Sequence, residues 1–284
     1  MDYVRPRIFL CDLTYTQQTV ASDVMPAAVG GIAAYLLQEI PDVKLFRYPE
    51  ALISTLDLLK PENAPHLVGF SNYVWNCNRS LGFARAIKER FPSVLVVFGG
   101  PNLAYDSAEQ EQFLRHNPVI DFHVVKEGET AFCNLVRTLI ANRWDPASVS
   151  EKEINNLVFI DNGGRFRSSP RIDRVPLEIL PSAYTSGLMD EFFDGKLYPI
   201  IQTNRGCPFE CTFCTEGMGY WTKVQRKKRD RINAEILYIA EKMDSLGDLA
   251  RRDLHIADSN FGMYPDDLET AKALAAARKK YSYP

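Results

Sequence analysis

Over the first half of the chain, short apolar runs alternate with segments of helical periodicity, and few folds accommodate that rhythm. Runs at 7–13, 43–48, 67–71, 94–98 and 120–125 are rich in Val, Ile, Leu and Phe and short enough to be buried strands. Helical patterns cover 26–39, 51–59, 80–90, 106–115 and 130–142. The first of these carries Ala27, Ala28, Gly30, Gly31, Ala33 and Ala34, small side chains suited to close packing. Strands separated by helices run parallel in one sheet, with helices on both faces. Right-handed crossovers leave few topologies. The expected fold class is therefore α/β, with a flavodoxin-like (Rossmann-like) strand order.

Sheets of that kind bind ligands at the carboxyl ends of their strands, near the switch point. Three loops there are unusual. The third strand ends in Ser71-Asn72-Tyr73-Val74-Trp75-Asn76, the fourth in Gly99-Gly100-Pro101-Asn102, the fifth in Lys126-Glu127-Gly128-Glu129. Glycines allow backbone to approach a ligand closely. Tyr73 and Trp75 offer flat apolar faces with polar tips. Such a rim suits a large planar ligand fringed with amides.

From Trp144 to about Leu197 the pattern loosens. A short strand pair is expected near 151–160, with Asp161-Asn162-Gly163-Gly164 as its turn. Pro176 and Pro181 mark an extended connection. The expected domains are 1–143, a linker at 144–197, and 198–284. In the last of these, a strand at 198–203 precedes an amphipathic helix at 232–243 with Ile232, Ile236, Ile239, Ala240 and Met243 on one stripe, a second strand at 254–258 and a helix at 266–280 that is apolar at Leu268, Ala271, Leu274 and Ala275. That is the opening of a β/α barrel, whose active sites sit where strands end. The basic run from Lys223 to Arg231 is expected to be a solvated surface. Its alternative role is contact with an anionic substrate or a cofactor phosphate.

The first strand of that domain delivers three cysteines within eight positions, Cys207, Cys211 and Cys214. Thiolates this close can converge on one small object. Soft sulfur ligands select zinc, copper(I) or iron–sulfur clusters. A structural zinc or a fully protein-ligated cluster wants four ligands, and the nearest histidine, His255, lies beyond a whole predicted helix. The economical reading is a 4Fe–4S cluster with one iron left open.

The pattern Cys-x-x-x-Cys-x-x-Cys, with Phe213 just before its last cysteine, resembles the signature of the radical S-adenosylmethionine superfamily. The longer run from Arg205 to Cys214 resembles the subgroup that carries an N-terminal cobalamin-binding domain. Gly99-Gly100-Pro101, the Glu127-Gly128-Glu129 run and Leu180-Pro181-Ser182-Ala183-Tyr184 are similar to that subgroup as well. The resemblance implies that Cys207, Cys211 and Cys214 hold three irons and that S-adenosylmethionine chelates the fourth, with Phe213, Asp258 and Asn260 near it. It implies that Ser71, Asn72, Tyr73, Trp75, Gly99, Gly100, Pro101, Glu127, Gly128 and Glu129 line a cobalamin site. The Asp-x-His-x-x-Gly run that supplies a lower cobalt ligand in other cobalamin proteins is absent: Asp12 is followed by Leu13 and Thr14, and no histidine precedes His66. Trp75 or its neighbours are the expected cover for that face. The implied activity is reductive cleavage of S-adenosylmethionine and methyl transfer to an unactivated carbon of a small molecule. An electron donor such as a flavodoxin or ferredoxin would be the partner.

The competing enzyme reading is a methylthiotransferase with a second cluster. Cys11, in a strand, and Cys133, in a helix, lack that group's context and read as small buried hydrophobes. The non-enzyme reading is a cobalamin-binding module with an incomplete barrel, since the chain reaches Tyr283-Pro284 after only the first strand–helix units. A zinc-binding interaction protein is a further alternative. A net charge of −3 gives no basic excess to indicate nucleic acid. No apolar run is long enough to span a bilayer, and a cytoplasmic setting is expected.

Overall fold

The computed structural model of the protein describes residues 5–16, 22–169 and 171–284. The chain divides into two compact units. One takes in everything up to Val175 apart from Ser22–Ala27; the other is that short segment together with Pro176–Pro284.

The first unit is built on one sheet. Its parallel strands are β1 (Ile8–Cys11), β2 (Val43–Phe46), β3 (Leu67–Ser71), β4 (Leu95–Gly99) and β5 (Phe122–Val124). Helices α1 (Ala27–Leu36), α2 (Pro49–Asp57), α3 (Cys77–Arg90), α4 (Ser107–His116) and α5 (Glu129–Ala141) make or follow the crossovers. The spatial order β2-β1-β3-β4-β5 is the flavodoxin-like order expected from the sequence. The central strands β3 and β4 are hydrophobic on both faces because both are covered: Val68, Phe70, Val96 and Phe98 on one face and Leu67, Leu95 and Val97 on the other are all buried. Gly69 is required where α5 crosses the sheet, since a Cβ there would lie 2.7 Å from Leu10 Cδ2 and 3.3 Å from the Phe132 ring.

The segment read as a linker contributes more than a connection. Its expected hairpin forms as β6 (Leu157–Ile160) and β7 (Phe166–Ser168), closed by Asp161, whose carboxylate accepts from the amides of Gly163 and Arg165. β6 pairs antiparallel with β5, so the sheet grows to seven strands. The physical reason is that β5 would otherwise present an open edge. The sequence rhythm does not carry that information, because a hairpin looks the same whether or not it docks.

The second unit contains β8 (Ile200–Ile201), β9 (Asn204–Arg205), β10 (Gln225–Arg226), α6 (Arg229–Ser245), β11 (His255–Ile256) and α7 (Pro265–Tyr281). β8 and β11 pair in parallel with α6 between them in the chain, a strand–helix–strand unit. β9 and β10 form a short antiparallel ribbon that closes the cysteine loop at its base. The predicted stripe on α6, Ile232, Ile236, Ile239, Ala240 and Met243, is buried throughout. Tyr184 fixes β8 from the side: its Oη donates to Ile200 O (2.8 Å) and accepts from Ile200 N (3.1 Å).

Two expectations for this unit are corrected. Leu268 on α7 is exposed, while Asp267, Thr270 and Ala277 face inward. Asp267 turns that face, because its carboxylate accepts from the amides of Gly262 and Tyr264 in a capping box. The basic run is also not simply a solvated surface. Arg226 pairs with Asp266, Lys227 with Glu235, Arg229 Nη1 donates to Thr270, and Arg231 donates to the carbonyls of Leu177 and Leu180. Among the described residues, no helix is long and apolar enough to cross a membrane.

Candidate functional site

The carboxyl ends of β1–β5 carry a dense polar layer. Asp12 follows β1 and is buried against Arg47, which follows β2; Arg47 Nη1 lies 2.6 Å from Asp12 Oδ2 and 2.8 Å from Asp12 O. Ser71 Oγ donates to Asp12 Oδ1 (2.5 Å). Asn76 Nδ2 donates to Ser71 Oγ (2.8 Å) and Asp12 Oδ1 (3.2 Å). A buried charge needs a partner, and here four strand and helix ends converge to supply one.

A second chain of contacts links the next three loops. His123 of β5 is fully buried, with Nδ1 2.9 Å from Val124 O and Nε2 3.1 Å from Asn72 Nδ2. With the Asn72 amide as donor, Nε2 accepts and the ring is neutral with its proton on Nδ1. Burial pushes the His123 pKa down to about 4. Asn72 Oδ1 in turn accepts from Asn102 Nδ2 (3.2 Å), and Asn72 N donates to Gly99 O (2.7 Å). Gly100 has φ of +138°, and a Cβ there would fall 2.6 Å from Asn72 O. The β4 loop therefore lies directly on the β3 loop, and glycine is obligatory at that crossing.

Above this layer, Tyr73 and Trp75 stack nearly parallel, centroids 4.6 Å apart at 7°. The indole is 49% exposed. Burial pushes the Tyr73 hydroxyl up to about 12, with Asp12 adding to it. The Glu127-Gly128-Glu129 run divides its labour. Glu127 is buried and bound to Arg174 Nε (2.6 Å) and to Val175 N, so it clasps the chain segment after the hairpin. Gly128 starts α5, with room for a Cβ only 3.3 Å from Ile32, and Glu129 is buried in that helix's first turn. Lys126, at φ +61°, sets Nζ 3.2 Å from the Tyr105 ring centroid, and burial lowers its pKa to about 8. Pro101 sits exposed beyond Gly100. The sequence singled out Ser71, Asn72, Tyr73, Trp75 and the glycines, placed Asn76 and Lys126 in the same loops without giving them a role, and passed over Arg47 and His123. A charged residue at the end of a buried strand, as Asp12 and Arg47 both are, is the signal that could have found the first of these.

In the second unit the three cysteines occupy the loop between β9 and β10. All are free thiols, Cys207 half-buried, Cys211 and Cys214 exposed. The loop is tightly wound. Cys207 N donates to Trp221 O (3.0 Å), Cys214 N to Cys211 O (3.1 Å) and Gly217 N to Cys214 O (3.0 Å). Gly206, at φ +112°, would bring a Cβ 2.5 Å from Trp221 O, and Gly217 would bring one 2.3 Å from Cys211 O. Phe213 projects into solvent, 91% exposed. Asn260, just beyond β11, donates from Nδ2 to Cys207 Sγ across 3.0 Å. Asp258 instead accepts from Thr203 N (2.7 Å), Thr203 Oγ1, Asn204 N (3.2 Å) and Asn204 Nδ2 (3.0 Å). It thereby welds the end of β11 to the start of the loop, and burial raises its pKa.

Among the described residues, no three His, Cys, Asp or Glu side chains are drawn into a cage for a single ion. Three soft thiols on one short loop match the donor chemistry of an iron–sulfur cluster that takes three protein ligands. Cys11, Cys77 and Cys133 lie buried in or at the start of separate elements, β1, α3 and α5. Burial pushes the thiol of each upward, as for small core side chains.

Residues 16–136 match the B12 binding domain. The chain is 34% identical over 227 residues to the cobalamin-dependent radical SAM methyltransferase TokK of Streptomyces tokunonensis, covering 78% of this chain and 31% of that protein. It is 36% identical, over the same shares, to the 2-(S-pantetheinyl)-carbapenam-3-carboxylate methyltransferase of Streptantibioticus cattleyicolor. The chain thus spans about a third of the length of these relatives. Its fold matches that of the cobalamin-dependent S-adenosylmethionine radical enzyme OxsB, solved with aqua-cobalamin and S-adenosylmethionine. The TM-score is 0.68 at 16% identity, over 97% of this chain and 37% of that one.

Proposed function

The chain belongs to the cobalamin-binding radical S-adenosylmethionine enzymes, of which it covers the N-terminal part, and on that premise we propose that it serves a methyltransferase acting on an unactivated carbon of a small molecule. In this reading the first unit is the cobalamin domain and the second opens the catalytic barrel. The observation that carries the proposal is the presence, in one chain, of a rigid strand-end rim and a free triple-thiol loop with an amide donor aimed at its first sulfur.

When bound, a 4Fe–4S cluster supplies the electron that cleaves S-adenosylmethionine, and cobalamin supplies the methyl group. Cys207, Cys211 and Cys214 would hold three irons. Asn260 donates to the Cys207 sulfur and so orients it. Asp258 fixes the loop's entry through Thr203 and Asn204, and Gly206 and Gly217 let it close. Phe213 offers an exposed ring beside the last thiolate. In the first unit, Asn72, Gly99, Gly100 and Pro101 form the rim for the corrin. Trp75, backed by Tyr73, would offer its flat face to the corrin where other cobalamin proteins present a histidine. Ser71 and Glu127 act from beneath by holding the loops. An electron donor of the flavodoxin or ferredoxin type and a cytoplasmic setting belong to the same proposal.

The test is a titration of the purified chain with hydroxocobalamin, followed by its visible spectrum. Saturable binding with a spectrum that differs from free hydroxocobalamin, lost in Gly100→Val, is the expected result. Binding that is unchanged in Gly100→Val and in Trp75→Ala would overturn the placement of cobalamin on this rim.

A further inference from the structure

Asn76 stands at the position preceding α3, where an asparagine side chain ordinarily accepts from the first amides of its helix. Here it makes no such bond. Its side chain is fully buried and turned the other way. Oδ1 accepts from Tyr73 N (2.9 Å), and Nδ2 donates to Ser71 Oγ (2.8 Å) and Asp12 Oδ1 (3.2 Å). The backbone completes the hold, since Asn76 N and Cys77 N both donate to Tyr73 O, at 3.2 and 3.0 Å. Tyr73 is thus pinned at both its amide and its carbonyl. Beneath, Arg47 anchors Asp12 at 2.6 Å.

The Tyr73 ring therefore has a fixed base, and Trp75 lies flat on it. A half-exposed indole keeps rotamer freedom unless something restrains it, and restraint costs side-chain entropy. A buried frame of four polar side chains under one half-exposed indole and the Tyr73 ring that backs it is more than a turn of this length needs for its own backbone.

We propose that Asn76 is a positioning residue for Trp75, and that Asp12, Arg47 and Ser71 form the frame through which it holds the indole as a preset flat platform for the corrin. The inference rests on the cobalamin reading of the first unit. It deepens that reading by assigning the rim's geometry to residues that do not themselves face the ligand. A platform fixed before binding spares the ligand the cost of ordering it.

The chain holds three tryptophans, Trp75, Trp144 and Trp221, so labelling with 5-fluorotryptophan gives a fluorine resonance for each, with Trp75 assigned by its loss in Trp75→Phe. In Asn76→Ala the Trp75 line is expected to shift and broaden while those of Trp144 and Trp221 stay. Affinity for hydroxocobalamin should fall roughly tenfold through lost preorganisation. Ser71→Ala, a smaller lesion in the same frame, should move the same line less and keeps the test open if Asn76→Ala does not fold. An unmoved Trp75 line in both variants overturns the proposal, and so does a shift of all three lines together. If the Trp75 line responds to Asn76→Ala but hydroxocobalamin leaves it unmoved in the parent protein, the positioning role stands and the placement of cobalamin against Trp75 falls.

Discussion

Asn260 Nδ2 donates to Cys207 Sγ across 3.0 Å, so the end of the second parallel strand of its unit is hydrogen-bonded to the first thiol of the cysteine loop. Hydrogen bonds to cluster sulfurs stabilise the more negative, reduced state and so raise the reduction potential. Asn260→Leu should leave iron incorporation intact and make the cluster's potential more negative. A redox titration followed by electron paramagnetic resonance reads the shift, and an unchanged potential would show that this contact does not persist on the cluster.

Gly217 is where the cysteine loop folds back on itself. An added Cβ would lie 2.3 Å from Cys211 O and 2.8 Å from Cys211 N, both backbone atoms that cannot yield cheaply. Gly217→Ala should therefore spread the loop and cut iron and sulfide uptake severely. Far-UV circular dichroism should be nearly unaltered, because the loop holds only the single 3-10 turn Thr215–Gly217 and lies outside the α-helices and the main sheet. Full iron content in this variant would contradict the loop geometry.

Breaking the Asp12–Arg47 pair should be costly for the first unit. Both side chains are almost wholly withdrawn from water, 1% exposed for Arg47 and 10% for Asp12. Arg47→Met strands a carboxylate, at a cost of about 3–5 kcal/mol. Urea unfolding monitored on the first unit should show the loss. The double variant Asp12→Asn/Arg47→Met should recover part of it, because no unpaired charge is left.

His123 gives the first unit an acid-sensitive component. Its pKa is about 4 in the folded protein, against about 6.5 when unfolded. The unfolded chain therefore binds the proton first as pH falls. The stability this neutral histidine contributes is fully present above pH 6.5, and is lost between about 6.5 and 4, to a total on the order of 3 kcal/mol. His123→Gln removes the titration. The urea midpoint of the parent protein should fall further than that of the variant between pH 7 and pH 5. Parallel pH profiles would mean that His123 is not held neutral.

How much of this was legible beforehand depends on the kind of signal. The alternation of apolar runs and helical patterns placed β1–β5 and their helices, because period and length are local properties. β3 was read to the residue, as the run Leu67–Ser71 between His66 and Asn72. The docking of β6 against β5 was not legible, because edge pairing is decided by tertiary context. The thiols were found from spacing alone. Asn260 was singled out, from its place at a strand end, as a contact to S-adenosylmethionine; its contact with Cys207 depends on the register between β11 and β8 and was not legible. The frame of Arg47, Asp12, Ser71 and Asn76 joins residues as much as 64 positions apart, and no local pattern announces such a contact. Asp258 was expected near S-adenosylmethionine, and the structure gives its carboxylate to Thr203 and Asn204. A carboxylate that caps a loop and one that awaits a ligand look alike in sequence.

The most direct test is anaerobic reconstitution of the chain with iron, sulfide and hydroxocobalamin, followed by metal analysis of the parent protein and of Cys211→Ala. The account predicts about four irons and one cobalt per parent chain, with the iron lost and the cobalt kept in Cys211→Ala. Iron retained in Cys211→Ala, zinc in place of iron, or the absence of cobalt from the parent protein would contradict it.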